Sequence, residues 1–131
     1  MKISHQSRVN AAMTLNRMQE KLINSSVRSE VWSRAYAGLY YQLTIGQPNK
    51  YKLADAVEHF GSIPADEFKS AGEFASVMCS VCDIAHDLGI PPCRRLIGID
   101  WEQKETEPGT GAIHQIFERM TAEFESIRRA A

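Results

Sequence analysis

The segment of residues 70–89 constrains the fold most, because its pattern predicts a helix with very little polar surface. Ser70 and Glu73 form a capping box at its start, and Gly89 followed by Pro91 and Pro92 ends it. One apolar face and an adjoining stripe of small residues leave only a narrow polar strip. The face comprises Phe74, Val77, Met78, Val81, Ile84, Ala85 and Leu88, and the stripe comprises Ala75, Cys79, Cys82 and His86. Such a helix is buried on most sides, so we expect it at the centre of a bundle.

The rest of the chain also has a mainly helical period. Apolar residues at three- and four-residue spacing predict four further helices, and a proline at position 64 favours a short helical turn before the central helix. The predicted helices cover residues 4–23, 26–45 (or 29–45), 51–60 and 111–129, and the turn covers 64–69.

Two segments near the C-terminal end lack a helical pattern. Residues 97–101 are apolar enough for a short strand but have no partner strand, so we predict irregular structure there. Residues 102–110 are polar and contain a Pro-Gly pair, which predicts an exposed loop. The sequence therefore predicts an all-α fold, a single compact helical bundle of about five helices. We expect one all-helical domain over residues 1–131, with the helix near 70–89 central.

Size and charge exclude several classes of protein. A chain of 131 residues is long enough to bury a core without disulfides or metals. The 15 Lys and Arg against 16 Asp and Glu give a net charge of -1, which argues against nucleic acid or anionic lipid as the partner. The sequence shows neither a charged-then-apolar leader nor a long apolar run, so we expect neither secretion nor insertion into a membrane. With an odd number of cysteines, three, we expect a reducing cytoplasm.

The cysteines are clustered, and together with one histidine they make a potential Cys3His set: Cys79, Cys82, His86 and Cys93. On a helix, however, Cys79 and His86 are separated by roughly 10 Å along the axis, too far to converge on one ion without strain. Cys82 and His86 can share an ion, with Cys93 as a third ligand. A thiol- or metal-dependent protein that uses these four residues is therefore one alternative. We prefer the interpretation that the helix cysteines are small residues against which another helix packs, with no metal and no cofactor.

Cys93 is the best candidate for a reactive thiol. It follows two prolines and is flanked by Arg94 and Arg95, and both features favour a thiolate. The arginine pair can also hold a phosphate or a carboxylate. The competing interpretation, which we favour, is that Cys93 packs inward while both arginines face water.

A helix-turn-helix DNA-binding regulator that uses residues 53–69 is a second alternative. Gly61 can end its first helix and Pro64 can open the next. Asp66 and Glu67 would then face the DNA backbone and repel it, which argues against this alternative.

Catalysis has no support in the sequence. We find no phosphate loop, nucleophile elbow or metalloprotease motif. His5, His59, His86 and His114 are scattered over different predicted helices or helix ends. Asp55, Glu58 and His59 have the spacing of an ordinary solvated helix face. We therefore predict that the protein is not an enzyme and name no catalytic residue.

The remaining hypothesis is an interaction protein, which acts through contacts with a protein partner of unknown identity. Two surfaces qualify: the apolar stripe of the last helix and an aromatic group on the second helix. Because the stripe is spaced nearly as a heptad, a homodimer through the C-terminal helix is the first partner to consider. By analogy, small helical proteins of this kind, including those of phages and mobile elements, serve as adaptors, inhibitors or regulatory subunits. The stripe comprises Ile113, Ile116, Phe117, Met120, Phe124 and Ile127, and the aromatic group comprises Trp32, Tyr36, Tyr40 and Tyr41.

Overall fold

The computed structural model describes residues 3–21, 30–45 and 49–130. Within these ranges the chain forms five α-helices, two 3₁₀ turns and no strand, which confirms the predicted all-α bundle. The predicted end of the first helix and both predicted starts of the second lie outside the described residues. The helices are α1 (His5–Lys21), α2 (Glu30–Thr44), α3 (Lys50–Gly61), α4 (Ala71–Leu88) and α5 (Ala112–Ala130), and the turns are Ala65–Glu67 and Arg94–Leu96.

The ends of α4 are set by the signals seen in the sequence. Ser70 is the N-cap, and its Oγ accepts a hydrogen bond from the backbone N–H of Glu73 at 3.1 Å. The Glu73 carboxylate returns to the backbone N–H of Lys69, one residue before the cap, at 3.1 Å. Gly89 is left-handed, with φ 66°, and its N–H donates to the carbonyl of His86.

Helix α4 occupies the centre of the bundle, as predicted. It packs against α1 and against α5, and it also contacts α3. Its apolar face is buried along its whole length, while Gly72, Ser76 and His86 remain exposed. The central position therefore follows from the lack of polar surface on this helix.

The second helix closes the bundle through one aromatic residue. Trp32 is buried, and its ring lies 5.1 Å from that of Phe60 on α3 and 6.5 Å from that of Phe68. Arg8 of α1 donates from Nη1 to the carbonyl of Ile45 at 2.6 Å and so caps the C-terminal end of α2. Val31, which the pattern places on the buried side of this helix, is exposed instead.

The helix-turn-helix interpretation of residues 53–69 is wrong in its second half. The first helix ends at Gly61 as expected, but only the 3₁₀ turn Ala65–Glu67 follows it. Ala65 and Phe68 are buried, so this turn faces the core. A recognition helix must be exposed and long enough to enter the major groove, and this segment provides no such helix.

Gly61 lies where two segments approach closely. A Cβ atom on Gly61 would stand 2.4 Å from both Cβ and Sγ of Cys93 and 3.5 Å from Cγ1 of Val81 on α4. Only glycine permits this distance between the end of α3 and the segment after α4. The close approach buries Cys93, whose side chain packs into the core.

Candidate functional site

The structure places the four members of the predicted Cys3His set in different surroundings. Cys79 is half-buried, Cys82 and Cys93 are buried, and all three are free thiols. His86 is exposed, and its Nε2 lies 3.5 Å from Oε1 of Glu102. Within residues 3–21, 30–45 and 49–130, no group of three or more His, Cys, Asp or Glu side chains is arranged to hold a metal ion.

The environment of the thiols disfavours the thiolate. Burial raises the pKa of Cys79 and of Cys82 to about 11, and the charge of a neighbouring cysteine contributes to the rise in each case. Burial and the Glu58 carboxylate raise the pKa of Cys93, which outweighs the opposite effect of Arg95 and two backbone hydrogen bonds. Arg95 thus favours the Cys93 thiolate as expected, but burial and Glu58 outweigh it, in agreement with the preferred interpretation that Cys93 packs inward. With 1% of its surface exposed, Cys93 is also shielded from reagents.

Arg95 is an internal structural residue. Its Nη1 donates to the carbonyls of Gly61 and Ile63, each at 2.7 Å, and its Nε lies 3.0 Å from Oε2 of Glu123 on α5. Its guanidinium carbon lies 4.8 Å from the centroid of the Phe74 ring on α4. The expectation that both arginines face water therefore fails for Arg95, since Glu123 of the same chain supplies its carboxylate. Arg94 is exposed as expected.

The apolar stripe of α5 is divided between the core and the surface. Ile116, Met120 and Phe124 are buried, and α5 packs along α4. Ile113 and Phe117, one helical turn apart, are 58% and 38% exposed. The predicted homodimer through this helix stays a prediction, and only the exposed part of the stripe is free to serve it.

The exposed part of the stripe borders a groove of about 800 Å³, which we call the α5 groove. Partly buried Trp101 packs against the core at one side of it. Trp101 belongs to the segment before α5, and this segment and the start of α5 line the groove together. The lining residues are Trp101, Gln103, Lys104, Glu105, Gly111, Ala112, Ile113, His114 and Phe117.

Hydrogen bonds fix the wall of the α5 groove. The Gln103 carbonyl accepts from the backbone N–H of Ala112 at 3.2 Å, and Gln103 Nε2 donates to the carbonyl of Thr110 at 2.7 Å. Gln115 of α5 donates from Nε2 to the same Thr110 carbonyl at 2.9 Å. A Cβ atom on Gly111 would stand 3.1 Å from Cβ of Glu105, so glycine allows the loop to lie close to the start of α5. The predicted exposed loop is thus held in one shape.

The sequence around the α5 groove is acidic on balance. Between residues 96 and 119, Lys104 and Arg119 stand against five exposed carboxylates, and among these charged residues Lys104 and Glu105 line the groove itself. The imbalance extends along the chain: the first 52 residues hold eight Lys and Arg against two Asp and Glu, and the remainder holds seven against 14. A nearly neutral net charge therefore conceals an acidic C-terminal part. The five carboxylates belong to Asp100, Glu102, Glu105, Glu107 and Glu118.

The aromatic group of α2 is only partly available as a surface. Trp32 belongs to the core, whereas Tyr40 and Tyr41 are exposed. Tyr36 stacks on Tyr40 with ring centroids 6.1 Å apart, and its hydroxyl donates to Oδ1 of Asn16 on α1 at 2.9 Å. These contacts orient the tyrosines.

The sequence interpretation missed Trp101 and the wall of the groove. Trp101 lies in a segment without periodicity, and the wall depends on pairs such as Gln103 and Gln115 that are distant in the sequence.

Two further findings bear on classification. No helix in the described part of the chain is both long and apolar enough to cross a membrane. The chain matches no protein-family model, no curated protein and no solved structure.

Proposed function

We propose that this protein is a non-enzymatic helical protein that binds another protein through the α5 groove, as an adaptor, an inhibitor or a regulatory subunit. The observation that carries the proposal is the exposure of Ile113 and Phe117 beside Trp101, in a groove with a fixed wall. Large apolar side chains gathered in a concave surface gain free energy when a partner covers them.

The raised pKa values of the thiols support a function in binding a protein and not in catalysis. Cysteine is the strongest nucleophile in this sequence, and the raised pKa values keep all three thiols protonated at neutral pH. Nε and Nη1 of Arg95 are engaged by the chain's own oxygen atoms. The thiols and Arg95 therefore serve the interior of the bundle, whereas Ile113 and Phe117 of the α5 groove are exposed.

The test is a pull-down from the native host with three tagged forms of the full chain. They are the wild type, the double variant Ile113→Ser/Phe117→Ser, and the control variant Ile97→Ser. Ile97 is 66% exposed and lies outside the α5 groove, so the control removes a similar apolar surface elsewhere. Far-ultraviolet circular dichroism and thermal melts verify that all three forms fold.

We expect the same protein partner with the wild type and the Ile97→Ser control, and its loss with the groove variant. Recovery of that partner by all three forms contradicts the proposal. Recovery of nucleic acid without any protein contradicts it as well.

A further inference from the structure

We infer that the α5 groove takes an amphipathic segment of its partner, whose apolar side chains lie next to Lys or Arg. This inference rests on the proposed function, because it specifies the partner of the same site. It combines three features of the groove: its apolar surface, its charge and its fixed shape.

The apolar surface fits the side chains of one helical turn or two. Ile113 and Phe117 are at i and i+4 of α5, so their side chains form one ridge along the helix. Trp101 lines the same groove and contributes a large ring. A partner helix with apolar side chains at i, i+3 and i+4 presents a matching stripe.

The acidic residues near the groove favour positively charged residues beside the apolar side chains of the partner. Glu102 and Glu118 are at least 75% exposed on their side chains, and each approaches a histidine, His86 and His114 respectively. Lys104 in the groove lining and Arg119 beside Glu118 are the opposing cations, two against five carboxylates. Carboxylates around an apolar surface attract a cationic segment and repel an anionic one.

The same charge disfavours two other occupants. Nucleic acid would meet carboxylates in place of cations. A second copy bound groove to groove about a two-fold axis would bring two acidic rims together, because an isologous interface repeats the same patch on both sides.

The fixed wall reduces the cost of binding. Gln103, Gln115 and Thr110 already hold the loop against α5, and Glu105 Oε1 accepts from the backbone N–H of Gly109 at 2.6 Å. The groove therefore does not have to be ordered when the partner arrives.

The test uses two synthetic amphipathic helical peptides with identical leucine positions, one with lysine and one with glutamate at the polar positions. Each carries fluorescein, and its binding to the full-length protein is followed by fluorescence anisotropy. We expect the Leu/Lys peptide to bind at least about tenfold more tightly than the Leu/Glu peptide at about 20 mM salt. The difference should shrink at about 0.5 M salt, where exposed charges are screened.

Two sets of variants separate charge from apolar contact. Glu102→Lys/Glu118→Lys should abolish the preference, whereas Glu30→Lys/Asp55→Lys changes the net charge equally on α2 and α3 and should retain it. Ile113→Ser/Phe117→Ser removes the apolar ridge at constant charge and should weaken binding of the Leu/Lys peptide about tenfold or more.

Several outcomes overturn the inference. They are equal binding of both peptides, binding of neither, or a preference that Glu102→Lys/Glu118→Lys leaves unchanged. A dimer in light scattering that the Ile113→Ser/Phe117→Ser variant dissociates would identify a second copy as the occupant. If the groove-dependent partner of the pull-down persists while the peptides show no preference, the proposed function survives and the inference about charge falls.

Discussion

Helices α4 and α5 use their side chains in opposite ways. Helix α4 carries two cysteines and a histidine, the most reactive residue types of the chain, and it half-buries Cys79 and buries Cys82, both with raised pKa values. Helix α5 carries a stripe that resembles core, yet it leaves Ile113 and Phe117 at the surface. Residue type alone therefore misleads on both helices, and position in the bundle determines which side chain is available to a partner.

The largest expected effect on stability is the difference between substitutions at two isoleucines of α5. Ile116→Ala removes a fully buried side chain, and we expect a loss of about 2–5 kcal/mol in the free energy of unfolding. Ile113→Ala, the same change at an exposed position, should cost less than about 1 kcal/mol. Urea denaturation of both variants measures the difference. Equal losses would show that Ile113 belongs to the core and would remove the contrast between the helices.

A smaller effect is expected where α3 approaches Cys93. Gly61→Ala places a Cβ atom 2.4 Å from Cβ and Sγ of Cys93, so the segments must separate, at a cost of about 1–3 kcal/mol in stability. Gly38→Ala is the matched control, since a Cβ atom there meets no atom within 4 Å and α2 continues on both sides. The control should gain about 0.5–1 kcal/mol, because alanine is the better helix former. If thermal or urea unfolding gives both variants the same stability, the close packing around Cys93 is refuted.

The thiols give the smallest effect on stability and a clear one on reactivity. At pH 8, a pKa of about 11 lowers the thiolate fraction of Cys79 and Cys82 by roughly 100-fold relative to an ordinary thiol. Reaction with a disulfide reagent should therefore be far slower in the native protein than in urea. Fast native labelling of Cys79 or Cys82, found by mass spectrometry, would reverse the comparison of the two helices.

The same pKa values determine how stability depends on alkaline pH. The native thiols hold their protons more tightly than the unfolded chain does, so their contribution is complete below about pH 8.5. It is lost as the pH rises towards about 11. The wild type should thus lose stability over this range more steeply than Cys79→Ala/Cys82→Ala, and parallel curves would contradict the assigned shifts.

The sequence determined the elements with local signals. Ser70, Glu73 and Gly89 define α4 through contacts within four residues, and the missing polar surface placed this helix at the centre. The helix predicted from the apolar stripe of α5 was also correct, but the periodicity of the stripe does not show which of its residues face α4. Arg95 depends on Gly61, which is 34 residues away, and no local pattern reveals such a partner. The hydrogen bonds of the groove wall span shorter separations, up to 12 residues between Gln103 and Gln115, but they lie in a segment without periodicity.

The anchoring of α5 has a consequence for a severed chain. Arg119 of α5 donates from Nη1 to the carbonyl of Ile97 at 2.6 Å, Arg95 holds Glu123, and Ile116 and Met120 are buried. None of these contacts depends on the exposed peptide bonds between Glu102 and Thr110. A nick in that loop should leave two fragments that remain associated, and α5 added as a separate peptide should complement the remainder. Since each fragment contributes part of the α5 groove, binding would then report whether the two had joined.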